Sequence, residues 1–482
     1  MSIFESTNPL DWAALDGVYI DELTPPPSVV GVASNVALLV GQFERGSNQP
    51  QQVGSSGQLF QDYGNNSAYL GMTALQNKRW GSLQIVRVVA SGAAAATQTF
   101  ANASSSSAVA FTALWKGAYG DNITVAIAAG TTSGSKYTIH DGNANAVWPD
   151  ETYDNVVITS LTSATFALSN LIVGTPLRTN QGEPATCSAT ALASGSDGSV
   201  ADADYSAAIA LTETANLCNV IVADKYTTAI KGYMLAAMAA TEDRMCVIEY
   251  GSDVAPATAI TDVASYRDTD GRLVYSYPWV YTTINAAPVA VSPASFYAAL
   301  ISQIPPNIDP AYAANSQYLS GITGLTQILT RANYISLMAA GISAYEVDSD
   351  VGVKVKSGVV TQILNSAKVM VFRRRMADFL MQSLAKYLKN FQNAPNSAAN
   401  QTKAGGGIVA FNTQLEKDGL VPTDAEVSTG AASIIDTSSL NDDDSVAQGY
   451  FKILYRRRIY SSMRFIVLQA DISTSVVVQE VG

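Results

Sequence analysis

Hydrolysis at an activated serine needs a histidine base beside the nucleophile, and this chain of 482 residues has a single histidine, His140. It stands in the run YTIHDG, and no G-x-S-x-G elbow occurs in the sequence, so His140 reads as a loop histidine at a turn. The glycine-rich run TKAGGGIV at 402–409 lacks the order of glycines and lysine that wraps phosphates, and it reads as a flexible loop. Asp442, Asp443 and Asp444 offer hard oxygen ligands, but neither they nor the DSDVG run from Asp348 have calcium-loop spacing. The aspartate triplet reads as a solvated turn or a helix start, where acids suit the helix dipole. Cys187, Cys218 and Cys246 are odd in number, have no C-x-x-C or metal-ligand spacing, and read as small buried residues. No catalytic residue, cofactor site or metal site follows from these patterns.

The remaining charge features are two arginine triplets, Arg373, Arg374, Arg375 and Arg456–Arg458. The first opens a helical pattern at 373–391 in which Met376, Phe379, Leu380, Leu384, Tyr387 and Leu388 make one apolar stripe, with Lys386 and Lys389 further along. Cations at a helix N-terminus oppose the macrodipole, so an acidic partner would offset the penalty. A solvated helix start, and an exposed strand or loop for Arg456–Arg458, fit equally.

Composition bounds what these groups can serve. A single core stops growing near ~250–300 residues, so two or three domains are expected. Charged residues make up 14% and the apolar set 48%, which fits a globular chain. The net charge of −12 argues against nucleic acid as the main partner. It is uneven: residues 1–330 carry −14 and residues 331–482 carry +2. The first seventeen residues hold Glu5, Asp11 and Asp16 without Lys or Arg, unlike a signal peptide, and no run of about 18 apolar residues occurs. Cytoplasmic synthesis without stable membrane insertion is expected.

Periodicity divides the chain. Gly17, Val18, Tyr19, Ile20, Asp21, Glu22 and Leu23 alternate as a short strand before the stiff triplet Pro25–Pro27. An arm held off the body and an edge strand with a rigid turn fit equally. Residues 36–40 and 83–89 read as buried strands around a helical pattern at 69–80, a β-α-β crossover. Residues 91–198, rich in Ala, Ser, Thr and Gly, read as an inserted β-rich region. Strand and helix alternation resumes with a strand at 217–223, a helix at 228–240 and a strand at 245–250, and a proline-rich patch at 278–310 then breaks the pattern. Residues 449–468 carry two further β-rich stretches, and Ile472, Ser473, Thr474, Ser475, Val476, Val477, Val478 and Gln479 alternate as a last strand. Both ends are therefore β-prone, and an isolated strand needs a sheet edge to pair with.

GVYIDE from Gly17, VALLVGQFERG at 36–46, GAYGDNITV at 117–125, GSDG at 195–198, SPASFYAAL at 292–300 and RRRMADFLMQSLAKYLKNF at 373–391 span the chain in order. Together they resemble the contractile tail sheath proteins of phages, pyocins and related injection machines. The stretch LTRANYISLMAAGISAYEVDSDVGV from Leu329 departs from the family, lacking its GI-V-GARTL pattern. The resemblance implies an α/β multi-domain fold: a subtilisin-like core at 28–90 and 199–345, an outward-facing β-rich insertion at 91–198, and a C-terminal α/β sheath domain at 346–471. It implies linking arms at 1–27 and 472–482, whose strands 17–23 and 472–479 complete a small sheet in neighbouring subunits. The implied function is a structural subunit, not an enzyme, that polymerises around a tail tube and contracts to drive it through a target envelope for genome delivery. Implied partners are further copies of the chain in stacked hexameric rings, the tail tube protein, and baseplate and terminator proteins, in a particle assembled in the host cytoplasm. Arg373, Arg374, Arg375, Lys386 and Lys389 become candidate tube contacts. The rival reading is a virion-surface or extracellular β-rich adhesin that binds carbohydrate, supported by the insertion.

Overall fold

The run VALLV leaves no polar side chain for solvent, and it forms the first five residues of a strand, β1 (Val36–Gln42), buried on both faces. In the computed structural model the described residues are 29–33, 36–64, 82–144, 146, 148–177, 182–215, 218–241, 243–284, 286–319, 321–364 and 368–464. The expected strands at 17–23 and 472–479 and the helix at 69–80 lie outside them. The chain divides into two units, residues 31–386 and residues 1–30 with 387–482.

In the larger unit β1 is followed by β2 (Gln51–Val53), α1 (Ser56–Tyr63) and β3 (Ser82–Val88). The region after β3 supplies β4 (Thr97–Ala101), β5 (Ser107–Ala113), β6 (Ile123–Ala129), β7 (Ser135–Asp141), β8 (Glu151–Val156), β9 (Ile172–Pro176) and β10 (Cys187–Ala191). Alternation resumes with α2 (Asp202–Ala210), β11 (Val220–Ala223), α3 (Thr228–Thr241), β12 (Met245–Ile248), α4 (Pro256–Val263) and β13 (Leu273–Tyr277). Then come β14 (Val280–Ile284), β15 (Ala287–Val291), α5 (Pro293–Gln303), β16 (Ile322–Leu325), α6 (Arg331–Ala339), β17 (Ile342–Asp348), β18 (Gly352–Val355) and α7 (Val371–Leu388).

The main sheet runs β18-β17-β13-β12-β11-β1-β3-β2. Its inner strands are parallel, and antiparallel β2 and β18 close the edges. Successive side chains of a strand point to opposite faces, and two cores result. Leu38, Val40, Ile221 and Cys246 pack with Tyr205, Met234 and Leu337 from α2, α3 and α6. Ala37, Leu39, Val222 and Val247 pack on the other side with Phe296, Tyr297 and Leu300 of α5, a helix buried from Pro293 to Ser302. This is a mixed α/β fold with helices on both faces of a largely parallel sheet. A boundary at 345/346 would cut β17, so that expectation is corrected: residues 346–386 continue the larger unit, because β17 and β18 belong to the main sheet.

Strands β4 to β10 form two small sheets, β10-β6-β7-β8 and β4-β5-β9. Phe111, Tyr137 and Phe166 meet edge to face between them, and Gly174 leaves the room the Phe166 ring fills. Backbone hydrogen bonds in both directions between Ala94 and Ser196 bring the two ends of this region together. His140 lies on β7 rather than in a turn, with Nδ1 2.6 Å from Asp150 at the surface.

In the smaller unit, α8 (Ala398–Lys417), β19 (Ser433–Asp436), α9 (Asp443–Ala447) and β20 (Leu454–Arg457) follow the end of α7. Asp442 caps α9 by accepting from the Ser445 N–H at 2.8 Å, which is the helix start that acids favour. The glycine run expected as a loop lies within α8. A side chain on Gly405 would press on Thr437 at 2.9 Å, and one on Gly407 would sit 2.0 Å from Tyr387 Oη. The glycines therefore let Tyr387 lie against the helix backbone, where its hydroxyl donates to Lys403 O at 3.0 Å. Alanine gains about 1 kcal/mol of helix propensity over glycine. Even so, Gly407→Ala is expected to destabilise the chain by about 1–3 kcal/mol in thermal melts, because buried Tyr387 must give way.

Candidate assembly interface

Helix α7 carries the charged residues singled out in the sequence, and their roles divide. Arg375 is buried, and its guanidinium donates to the carbonyls of Ile301, Ile304 (2.8 Å) and Pro305 (3.2 Å). Those carbonyls lie in the last turn of α5 and just past its end, where carbonyls run out of intrahelical donors; that of Pro305 also accepts from the Ile308 N–H at 3.1 Å. Burial lowers the Arg375 pKa to about 10. Arg374 pairs with Asp378 one turn on, and Arg272 reaches the same carboxylate at 3.2 Å. The offset to the dipole penalty is thus internal, and Arg374 and Arg375 are corrected as tube contacts: both are committed within the subunit. Arg373 is half-buried, while Lys386 and Lys389 are exposed near the C-terminal end of α7, where cations suit the dipole.

Two further buried arginines escaped the reading of the sequence. Arg87 on β3 donates to the carbonyls of Phe43 (2.8 Å), Glu44 (3.1 Å) and Lys116 (2.8 Å), tying the end of β1 to the inserted strands. Arg45 donates to Phe60 and Gln61 at the end of α1 and stacks over the Tyr119 ring at 4.5 Å. The signal for Arg87 was a lone cation in the apolar run LQIVRVV.

Open parallel sheets bind ligands at the carboxyl ends of their strands, where the strand order reverses. Here that place lies between β1 and β11, and Asp224 fills it. Its carboxylate accepts from the Gln42 N–H at 3.0 Å and from the Tyr205 hydroxyl at 2.5 Å. Next along, Glu249 accepts from Trp279 Nε1, and Lys231 pairs with Asp262 at 2.6 Å among the rings of Tyr250, Tyr266 and Tyr275. These groups are paired with one another. No group of three or more His, Cys, Asp or Glu positioned for a metal occurs among the described residues.

Burial raises the Asp224 pKa from 3.8 to about 6, against the opposing hydrogen bonds from Tyr205 and Gln42. A carboxyl whose folded pKa lies above its unfolded one favours the fold most below the unfolded value, and that contribution is lost as pH rises through the folded value. Glu249, raised by burial as well, adds in the same direction. Urea unfolding is therefore expected to show stability falling by on the order of 2 kcal/mol between pH 5 and pH 7.5. Asp224→Asn should flatten that slope; an unchanged slope would remove Asp224 as its source.

The ribbon β19–β20 pairs Ser433 with Arg457, Ile434 with Arg456, Ile435 with Tyr455 and Asp436 with Leu454. One face rests on α8, where the Asn412 amide donates to Ser433 Oγ at 3.2 Å and Arg457 pairs with Glu416 at 2.6 Å. The other face exposes Ile434 and Arg456. Among the described residues neither strand has a second neighbour.

No protein-family model and no curated protein matches the sequence. Solved structures do. The sheath tail protein of Listeria innocua aligns with TM-score 0.64 at 14% identity, over 86% of this chain and 90% of that one. The sheath tail protein of Desulfitobacterium hafniense gives 0.61 at 16% identity, over 87% and 93%. The helical sheath of the anti-feeding prophage in its contracted state gives 0.58 at 14% identity, over 96% and 100%. The chain has the fold of these sheath proteins.

Proposed function

We propose that this chain, folded as contractile sheath proteins are, is the structural subunit of such a sheath, a helical homopolymer around a tail tube that contracts to drive the tube through a target envelope. The observation that carries the reading is the extent of the likeness, 86–96% of this chain against 90–100% of the sheath structures, which leaves no large segment to serve another purpose. Genome delivery, stacked hexameric rings, and contacts with a tube, a baseplate and a terminator belong to the same proposal, as does a subtilisin-like description of the core. An anti-feeding prophage baseplate structure among the likenesses supports the baseplate contact. Strands 17–23 and 472–479 of neighbouring copies are the proposed linkers, and the open ribbon β19–β20 supports that role by offering them edges. Arg373 and the exposed Lys386 and Lys389 are the proposed tube contacts that remain. Nothing in the fold likeness favours the adhesin reading.

The test is negative-stain microscopy of the purified chain, with hollow, striated tubes as the expected result. A chain that stays monomeric at high concentration and in the presence of its tube protein would count against a sheath.

A further inference from the structure

Among the described residues Lys231, on α3, is the only buried lysine, with 2% of its side chain exposed. An ammonium in such a place is costly unless it is paired. Its Nζ lies 2.6 Å from Asp262 Oδ2 on α4, with the rings of Tyr250 and Tyr266 at 4.7 and 4.8 Å and that of Tyr275 at 5.8 Å. The Tyr275 hydroxyl donates to the same carboxylate oxygen at 2.8 Å. Glu249, just after β12, is buried and interacts electrostatically with Lys231. Burial raises its pKa well above the usual carboxylate range, against the hydrogen bond it accepts from Trp279, so it carries a proton.

An amine, a carboxyl carbon and a proton-bearing acid enclosed by aromatic rings are the components of an amide condensation. Fixing two reacting groups side by side is worth effective molarities of about 10⁵–10⁸ M, which offsets the barrier that keeps free amines and carboxylic acids apart in water. Exclusion of water also favours a neutral amine and acid over the ion pair. Proton transfer from Lys231 Nζ to Asp262 Oδ1 gives that neutral pair. Nζ then attacks Cγ of Asp262, and the Tyr275 hydroxyl stabilises the charge that develops on Oδ2. The Nζ–Cγ bond forms, the Cγ–Oδ1 bond breaks, and Oδ1 leaves as water. Glu249 gives one proton to the leaving oxygen and takes one from Nζ, so it ends as it began. In sum, an ammonium and a carboxylate become one amide and one water, with no oxidant or reductant.

We propose that Lys231 and Asp262 condense to an intramolecular amide that staples α3 to α4, with Glu249 as proton relay and Tyr275 as donor to the oxyanion. The two residues stand 31 apart in sequence, and β12, an inner strand of the main sheet, lies within the loop that the bond closes. Such a bond constrains the unfolded chain as a disulfide does, without depending on the redox state of its surroundings. The assignment is independent of the sheath reading; in a contracting polymer the staple would hold the centre of the main sheet closed under load.

Intact-mass spectrometry of the folded full chain, unfolded after prolonged incubation at neutral pH, tests it. The expected mass is that of the sequence less one water. Lys231→Arg keeps the ion pair but cannot form this amide, and it is expected at full mass. Glu249→Gln should condense at least about tenfold more slowly in the same measurement, and an unchanged rate removes Glu249 from the relay. Fragmentation of a tryptic digest of the unaltered chain should place the link between peptide 226–244, uncut at Lys231, and peptide 245–267. That result stands whether or not a variant folds. Full mass in a chain with folded circular dichroism overturns the proposal and leaves an ordinary buried ion pair. A missing water that fragmentation locates elsewhere, or that persists in Lys231→Arg, overturns it as well.

Discussion

Chains lacking residues 472–482, or residues 1–23, are expected to purify as folded monomers that form no tubes. The physical basis is that the cores of the larger unit are built from residues far from either end of the chain. Among the described residues, the cores on both faces of its main sheet are built from residues between Ala37 and Val371, so neither truncation removes a side chain of these clusters. What is lost is the strand each end would lend. A lent strand of about five hydrogen bonds, at roughly 0.5–1.5 kcal/mol net apiece, contributes several kcal/mol to each junction. Losing about 4 kcal/mol lowers an association constant roughly a thousandfold, and a helical lattice repeats that loss at every subunit. Size-exclusion chromatography and circular dichroism establish the folded monomer, and microscopy establishes the absence of tubes. Normal polymer from either truncated chain would remove strand lending from the account.

Arg375→Ala is expected to destabilise the folded subunit by about 3–5 kcal/mol, the largest effect of any single charge on α7. The guanidinium reaches three carbonyls at the end of α5, and α5 is itself enclosed by the core beneath the main sheet. Hydrogen bonds to a charged group are worth roughly 1.5–3 kcal/mol each, and the carbonyls of Ile301 and Ile304 would lose this donor, while that of Pro305 keeps the Ile308 N–H at 3.1 Å. Arg375→Lys keeps the charge but not the planar fork, so it recovers only part of the loss. By contrast, Lys386→Glu with Lys389→Glu should leave stability within about 0.5 kcal/mol, since both side chains are exposed. That pair is expected to weaken assembly on tubes instead. Urea unfolding of a chain truncated at 471 separates the two effects, because it reads subunit stability without polymer.

The contrast between those arginines and lysines shows what the sequence could reveal. Strands at 36–40 and 245–250 and the helix at 228–240 were legible because deep burial produces nearly unbroken apolar runs. The stripe on α7 was legible because Met376, Leu380 and Leu384 recur at helical spacing and are buried. The fate of Arg375 was not, since its partners lie about seventy positions away in sequence and are carbonyls, which no residue type advertises. The glycines at 405–407 misled for a related reason: composition favours a loop, while the close approach of Tyr387 and Thr437 is a tertiary demand. The boundary placed at 345/346 failed because β17 is the last parallel strand of the sheet, and only pairing with β13 reveals it. For the assembly interface, the alternation at both ends was readable, but the ribbon that would receive them is short enough to pass for a turn-rich segment. Only the pairing of 433–436 with 454–457 exposes its open edges.

Helical reconstruction of tubes grown from the full chain bears on the central claim most directly, at a resolution that traces strands. Two additional strands are expected beside the ribbon of every subunit, one along β19 and one along β20, each traceable to a different copy of the chain. Tubes in which the ribbon stays two-stranded, or in which both ends fold back onto their own subunit, would contradict it.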